Sequence, residues 1–151
     1  MPTNLWFLNT RVMIRVSHMD GSGQASVLEH WATNGDSPPL HLHRNEDEIF
    51  CILDGELRFR IGDKEQQARA GDILLAPKGI PHTYRVESAA GAHWLTITCE
   101  RDFENFVRAF SRPAEGERLP EPSGPPTPEK AEALSKACLE YGIEIVGPPL
   151  T

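Results

Sequence analysis

The chain has 151 residues, 39% of them hydrophobic, and a formal net charge of -7 at pH 7; this length suits one domain with its own core and is short for two well-packed units. Its Lys and Arg residues are scattered, with no basic stripe to meet phosphates, so nucleic acid is not an expected partner. No apolar run approaches the roughly 18 residues of a membrane span, and the opening Met1 to Gly21 lacks a charged segment followed by an apolar one, so the expected location is soluble and cytoplasmic, with no membrane contact.

From Arg11 to about Cys99, short apolar stretches alternate with Gly, Pro, Asn and Asp, the pattern of an all-β sandwich or barrel. The candidate strands are Val12 to Val16, Ala25 to Trp31, Ile49 to Leu53, Leu57 to Ile61, Ile73 to Ala76, Thr83 to Val86 and Trp94 to Cys99. Gly55 and the Gly62-Asp63 pair fall between runs, where tight hairpins need a positive φ. Cys51, Cys99 and Cys138 are widely spaced, so no disulfide is expected. Cys51 and Cys99 lie in strand-like runs and are expected to act as small buried hydrophobes.

Beyond Cys99 the period changes. Phe103, Phe106, Val107 and Phe110 fall at i, i+3, i+4 and i+7, which predicts a short amphipathic helix covering the barrel. Five prolines between Arg112 and Thr127 predict an extended tether. Thr127-Pro128-Glu129 then reads as an N-cap, a first-turn proline and a favourable acidic residue. The helix they open carries Ala131, Leu134, Cys138 and Tyr141 along one side and ends at Gly142. Ile143 to Val146 predicts a last strand, on its own barrel or on a neighbouring subunit. Residues 1–111 are thus expected to form the barrel and its covering helix, and residues 112–151 the tether, helix and terminal strand. No internal repeat is visible.

The segment from Gly35 to Gly55 places His41 and His43 at i and i+2, a spacing that points both rings to the same face of a strand. Glu48 follows after four residues, and His82 comes later, after Pro81 in a turn-like APKGIPH. Three imidazoles and a carboxylate converging in one barrel form an N/O ligand set for one divalent transition-metal ion: Fe, Mn, Ni, Co, Cu or Zn. The set is a poor one for calcium or magnesium. Trp31, Phe50, Phe59, Tyr84 and Trp94 either line an aromatic substrate pocket above the metal or fill the barrel. Phe50 and Tyr84 are the better placed, each lying two residues from a ligand. His18, His30 and His93 are expected to have surface or supporting roles.

GxxxxxHxHxxxxExxxxxxG at Gly35 to Gly55 and GxxxxxPxGxxH at Gly71 to His82 resemble the two motifs of the cupin superfamily. That resemblance implies a single double-stranded β-helix, or jelly-roll, barrel with C-terminal helices, and His41, His43, Glu48 and His82 as the metal ligands. Glu46 and Asp47 compete with Glu48 for the carboxylate role, but a strand beginning near Glu48 puts Phe50 and Ile52 on its face, whereas Glu46 precedes the strand in a loop. The second motif of the family usually ends with Asn four residues after the histidine; Val86 stands there and makes the interior drier without removing a ligand.

Within the superfamily, HLHRNEDEIFCILDGELRFRIGD, APKGIPHTYRV and the tail YGIEIVGPPL are most similar to the small single-domain cupins of the quercetin 2,3-dioxygenase-like group. This likeness implies a homodimer that catalyses metal-dependent dioxygenation of a small enol, phenol or diketone-like molecule, with Glu48 doubling as a catalytic base. The alternatives are a non-redox metal isomerase, lyase or decarboxylase, and a small-molecule binder without turnover.

Overall fold

Alternating burial along short strands builds two facing antiparallel sheets with the apolar core between them. The structure is a computed structural model and describes residues 3–21 and 23–151. The expected 1–111 unit therefore begins on two residues that, with Ser22, lie outside the described residues. In chain order the first strands are β1 (Thr3–Phe7), β2 (Thr10–Val16), β3 (Ser26–Ala32), β4 (Leu40–His43), β5 (Glu48–Asp54) and β6 (Glu56–Ile61). They are followed by β7 (Lys64–Arg69), β8 (Ile73–Ala76), β9 (His82–Val86), β10 (Ala92–Thr98), helix α1 (Asp102–Ala109), β11 (Ser111–Pro113), helix α2 (Pro128–Leu139) and β12 (Ile143–Gly147).

One sheet has seven strands in the order β11-β1-β2-β3-β10-β5-β8, and the other has five in the order β12-β4-β9-β6-β7. This is the jelly-roll architecture of a cupin barrel. Four strands add to those expected from the apolar runs. β1 and β11 pair with each other, β7 is an edge strand in which Ala68 alone is buried, and β4 carries the histidine pair. Gly55 is required at the β5–β6 hairpin: its φ is 85°, and a Cβ there would stand 2.5 Å from the Gly91 carbonyl oxygen.

Two apolar clusters fill the interior. Phe50, Ile52, Leu57, Phe59, Val86 and Trp94 pack between the sheets, and each large side chain so buried contributes roughly 1.5–3 kcal/mol. At the other end Leu5, Phe7, Val12 and Leu28 pack against Phe106 and Val107 of α1 and against Cys138 and Ile143 from the C-terminal segment. Phe103, Phe106 and Val107 thus form the expected cover over that end, whereas Phe110, at the C-cap of α1, is exposed. α1 is fastened to the barrel by the fully buried Glu104, which accepts hydrogen bonds from Ser17 Oγ (2.6 Å), from the His18 N–H (2.8 Å) and from Ser26 Oγ, and pairs with Arg108.

After β11 the chain runs extended over Trp6, whose indole N–H donates to the Arg118 carbonyl at 2.9 Å. Thr127 Oγ1 then accepts from the Lys130 N–H and caps α2, with Pro128 in its first turn. β12 lies antiparallel to β4 of the same chain, with Ile145 opposite His41 and Ile143 opposite His43. Cys99 departs from expectation. It lies one residue beyond the end of β10 and is exposed, while Cys51 is half-buried and Cys138 is the buried thiol. Among the described residues no helix is long and apolar enough to cross a membrane.

Candidate metal centre

β4 places its two histidines on the inner face by simple alternation. β9 brings the third alongside, because its one register pair with β4 is His41 opposite His82. The turn before β9 is tied to the same place, since the Gly79 N–H donates to the His43 carbonyl at 2.7 Å. Glu48 opens β5 in the opposite sheet and faces the three rings across the barrel. One ligand atom from each of His41, His43, Glu48 and His82 lies within 4.8 Å of all the others. His82 Nε2 is 2.7 Å from Glu48 Oε2 and His43 Nε2 is 3.0 Å from the same oxygen. His43, Glu48 and His82 are buried; His41 is partly exposed and marks the open side.

The donors fit a transition-metal ion. His41 Nδ1 sits 2.8 Å from the Pro39 carbonyl, which can only accept, so the proton belongs on Nδ1 and the Nε2 lone pair is free. The His43–Glu48 contact lacks hydrogen-bond alignment, and both buried ring nitrogens of His43 are without a hydrogen-bond partner among the described residues. An unpaired imidazole at this depth is costly unless something accepts its lone pair, and a divalent ion among these four groups does so.

The electrostatics are those of a preformed site. Burial, with the neighbouring His82 and His43, lowers His41 to about 3, so it is neutral at any physiological pH. Burial also acts to lower His43, but the carboxylates of Glu48 and Glu46 outweigh it and raise the imidazole to about 9. Burial would raise Glu48, yet His43 and His82 hold it well below the usual carboxylate range. The cluster thus pairs an anionic carboxylate with one imidazolium, and ion binding there would displace that proton.

Of the five aromatic residues expected near the site, four come together. Phe50 contacts Phe59 (ring centroids 5.0 Å apart), Phe59 contacts Tyr84 (5.7 Å) and Tyr84 contacts Trp94 (5.1 Å). Phe50 also approaches His82 at 6.0 Å. Phe50, Phe59 and Trp94 are at most 3% exposed and fill the barrel, which leaves the partly buried Tyr84 as the member nearest solvent.

Trp31 does not join them. The inward positions of β3 are taken by Leu28, His30 and Ala32, so Trp31 points outward, stacked on His93 at 4.5 Å with the Arg11 guanidinium 3.7 Å from its ring centre.

Two residues near the centre carry more than their sequence context suggested. His30 is buried and stacked between Trp94 (5.2 Å) and Phe103 (6.1 Å), and burial lowers it to about 4, so it is a neutral wall residue. Its alternation with Leu28 was the available signal. Glu46, set aside as a loop carboxylate, is 2% exposed and lies 3.6 Å from His43 Nδ1.

Comparison with known proteins agrees with this fold. The family described as "Cupin domain" matches residues 27–98. The chain is similar to quercetin 2,3-dioxygenase of Bacillus subtilis, 37% identical over 54 residues that make up 36% of this chain and 16% of that protein. It is also similar to acireductone dioxygenase of Yarrowia lipolytica, 32% identical over 102 residues, 63% of this chain and 51% of that protein. The chain thus spans at most about half the length of these two relatives. Among solved structures, a protein of Thermotoga maritima titled a predicted oxalate decarboxylase superposes with a TM-score of 0.56 at 23% identity, over 66% of this chain and 92% of that one, a likeness of fold.

Proposed function

We propose, from the match of residues 27–98 to the cupin domain family, that this chain is a cupin in which His41, His43, Glu48 and His82 hold one divalent transition-metal ion, and that the loaded protein is a dioxygenase for a small enol, phenol or diketone-like molecule. The observation that carries this reading is the convergence of four donor atoms within 4.8 Å, three of them buried and the fourth, on His41, at the open side. Four protein ligands leave one or two coordination positions for small molecules. The dioxygenase half of the reading is supported by the names of the two relatives.

When bound, an ion of this kind supplies Lewis acidity and, where redox-active, electron exchange with dioxygen. The chain supplies the rest. His41, neutral and anchored through Nδ1 to Pro39, holds its Nε2 toward the cluster. Glu48 makes its contacts to His43 and His82 through Oε2, which leaves Oε1 to take the proton of a substrate hydroxyl. Tyr84 shares the inner face of β9 with His82. Burial, with the charges of Asp36 and Glu48, keeps its phenol well above the usual range, so it is a hydrogen-bond donor to a substrate oxygen. Phe50 and Trp94, buried behind Tyr84, exclude water from this side.

Oxygen consumption by protein reconstituted with Fe(II), Mn(II), Co(II), Ni(II) or Cu(II), followed on a panel of flavonols and β-diketones, tests the reaction. Substrate-dependent uptake with at least one ion is the expected result. Stoichiometrically loaded protein that consumes no oxygen with any member would overturn the dioxygenase reading in favour of a non-redox enzyme or a binder.

A further inference from the structure

The four residues between His43 and Glu48 form a loop in which every position is pinned by a different part of the fold. The Arg44 N–H donates to the Gly142 carbonyl at 2.8 Å, and the Asn45 side-chain amide donates to Asp102 Oδ2 at 2.8 Å. The Phe103 N–H donates to Glu46 Oε1 at 2.7 Å, and Asp47 Oδ1 accepts from the Lys78 N–H at 2.8 Å. Among these, Glu46 alone turns a buried charge toward a metal ligand. Its Oε1 stands 3.6 Å from His43 Nδ1, and its Oε2 is buried without a hydrogen-bond partner among the described residues. The Phe103 ring packs edge-on against His43 at 5.7 Å, so one residue of α1 both anchors the carboxylate and walls the imidazole.

We infer that Glu46 is a positioning residue: its carboxylate, held by α1, keeps the proton of the His43 imidazole on Nδ1, so that Nε2 is turned to Glu48 and the ion. A carboxylate can only accept, and among the described residues no hydrogen-bond partner competes with it for His43 Nδ1. A carboxylate behind a ligating imidazole fixes its tautomer and increases its basicity, and losing such a partner typically lowers metal affinity about 10–100-fold. A plainer role is also available, since the N-cap Arg101 makes no side-chain hydrogen bond and Glu46 satisfies an N–H in the first turn of α1. The two roles separate in Glu46→Gln, which retains the amide oxygen for Phe103 and removes only the charge.

This inference rests on the metal reading above, and the experiment distinguishes the two. Zn(II) affinity is measured against a competing chelator for the wild type and for Glu46→Gln, together with the thermal midpoint of each metal-free protein and the His43 side-chain ¹⁵N and Nδ1–H resonances of the zinc-loaded protein. Expected are binding about tenfold weaker in Glu46→Gln, an unchanged metal-free midpoint, and a wild-type spectrum with zinc on Nε2 and a downfield Nδ1 proton that moves upfield in the variant. Equal affinities, or zinc on Nδ1 of His43 in the wild type, would overturn the role of Glu46 while leaving the metal site standing. A wild type that binds no Zn(II) would overturn both. An affinity loss matched by a fall in the metal-free midpoint, with the Nδ1 proton unmoved, would assign Glu46 to capping α1 alone.

Discussion

His41→Ala is expected to abolish tight metal binding while leaving the protein folded. His41 is the one partly exposed member of the cluster, and its hydrogen bond is to the Pro39 carbonyl two residues away, so its loss unpairs no buried charge. The cost to stability should be about 1 kcal/mol, the ordinary effect of a single substitution. A three-donor remnant has lost a direct bond to the ion, and the fall in affinity should exceed the roughly 10–100-fold that removal of an outer partner causes. Titration with Zn(II) against a chelator, alongside thermal unfolding of the metal-free variant, checks both parts. Retained affinity would remove His41 from the ligand set. His82→Ala should lose the metal too, but it leaves Glu48 buried beside His43 alone, so its stability change would be harder to interpret.

The second large effect is structural and reaches the same site. Ending the chain after Arg112 removes α2 and β12, and with them Cys138 and Ile143 from the second apolar cluster, against which Leu134, Tyr141 and Ile145 also pack. At roughly 1.5–3 kcal/mol for each large buried side chain, the loss should exceed about 5 kcal/mol, a large part of the 5–15 kcal/mol stability of a typical domain. The damage falls on β4, which pairs with β9 at a single position and owes the rest of its ladder to β12. The shortened chain should therefore melt at least about 10 °C lower and bind Zn(II) poorly even where it remains folded. Calorimetry and a zinc titration decide the matter. Wild-type values in both would show that the C-terminal segment does not support the histidine strand.

The convergence of the four candidate ligands was legible in the sequence because their placement depends on local rules: two histidines at i and i+2 on a strand, a carboxylate opening the next strand, and a histidine directly after a Gly-Ile-Pro turn. The amphipathic helix and the capped second helix were legible for the same reason, being written in period and in end residues. The features that escaped depend on partners distant in the chain. β7, Lys64–Arg69, has almost no apolar face and is a strand because β6 lies beside it. Trp31 and His30 are neighbours on β3, and it is His30, stacked between Trp94 and Phe103, that takes the inward position, so the tryptophan points outward. Glu46 reads as a loop carboxylate ahead of the strand, and its burial depends on Phe103, 57 residues later, from whose N–H it accepts a hydrogen bond. Val86, in place of the usual Asn, sits fully buried in the core, as its apolar character suggested.

The most direct test of the metal centre is elemental analysis of wild-type protein purified without a histidine tag or chelating column. The geometry of His41, His43, Glu48 and His82 predicts about one transition-metal ion per chain, from the Mn-to-Zn series that N/O sites select. Only trace metal in the isolated protein, and no uptake when Fe(II), Mn(II), Co(II), Ni(II), Cu(II) and Zn(II) are each supplied, would contradict it.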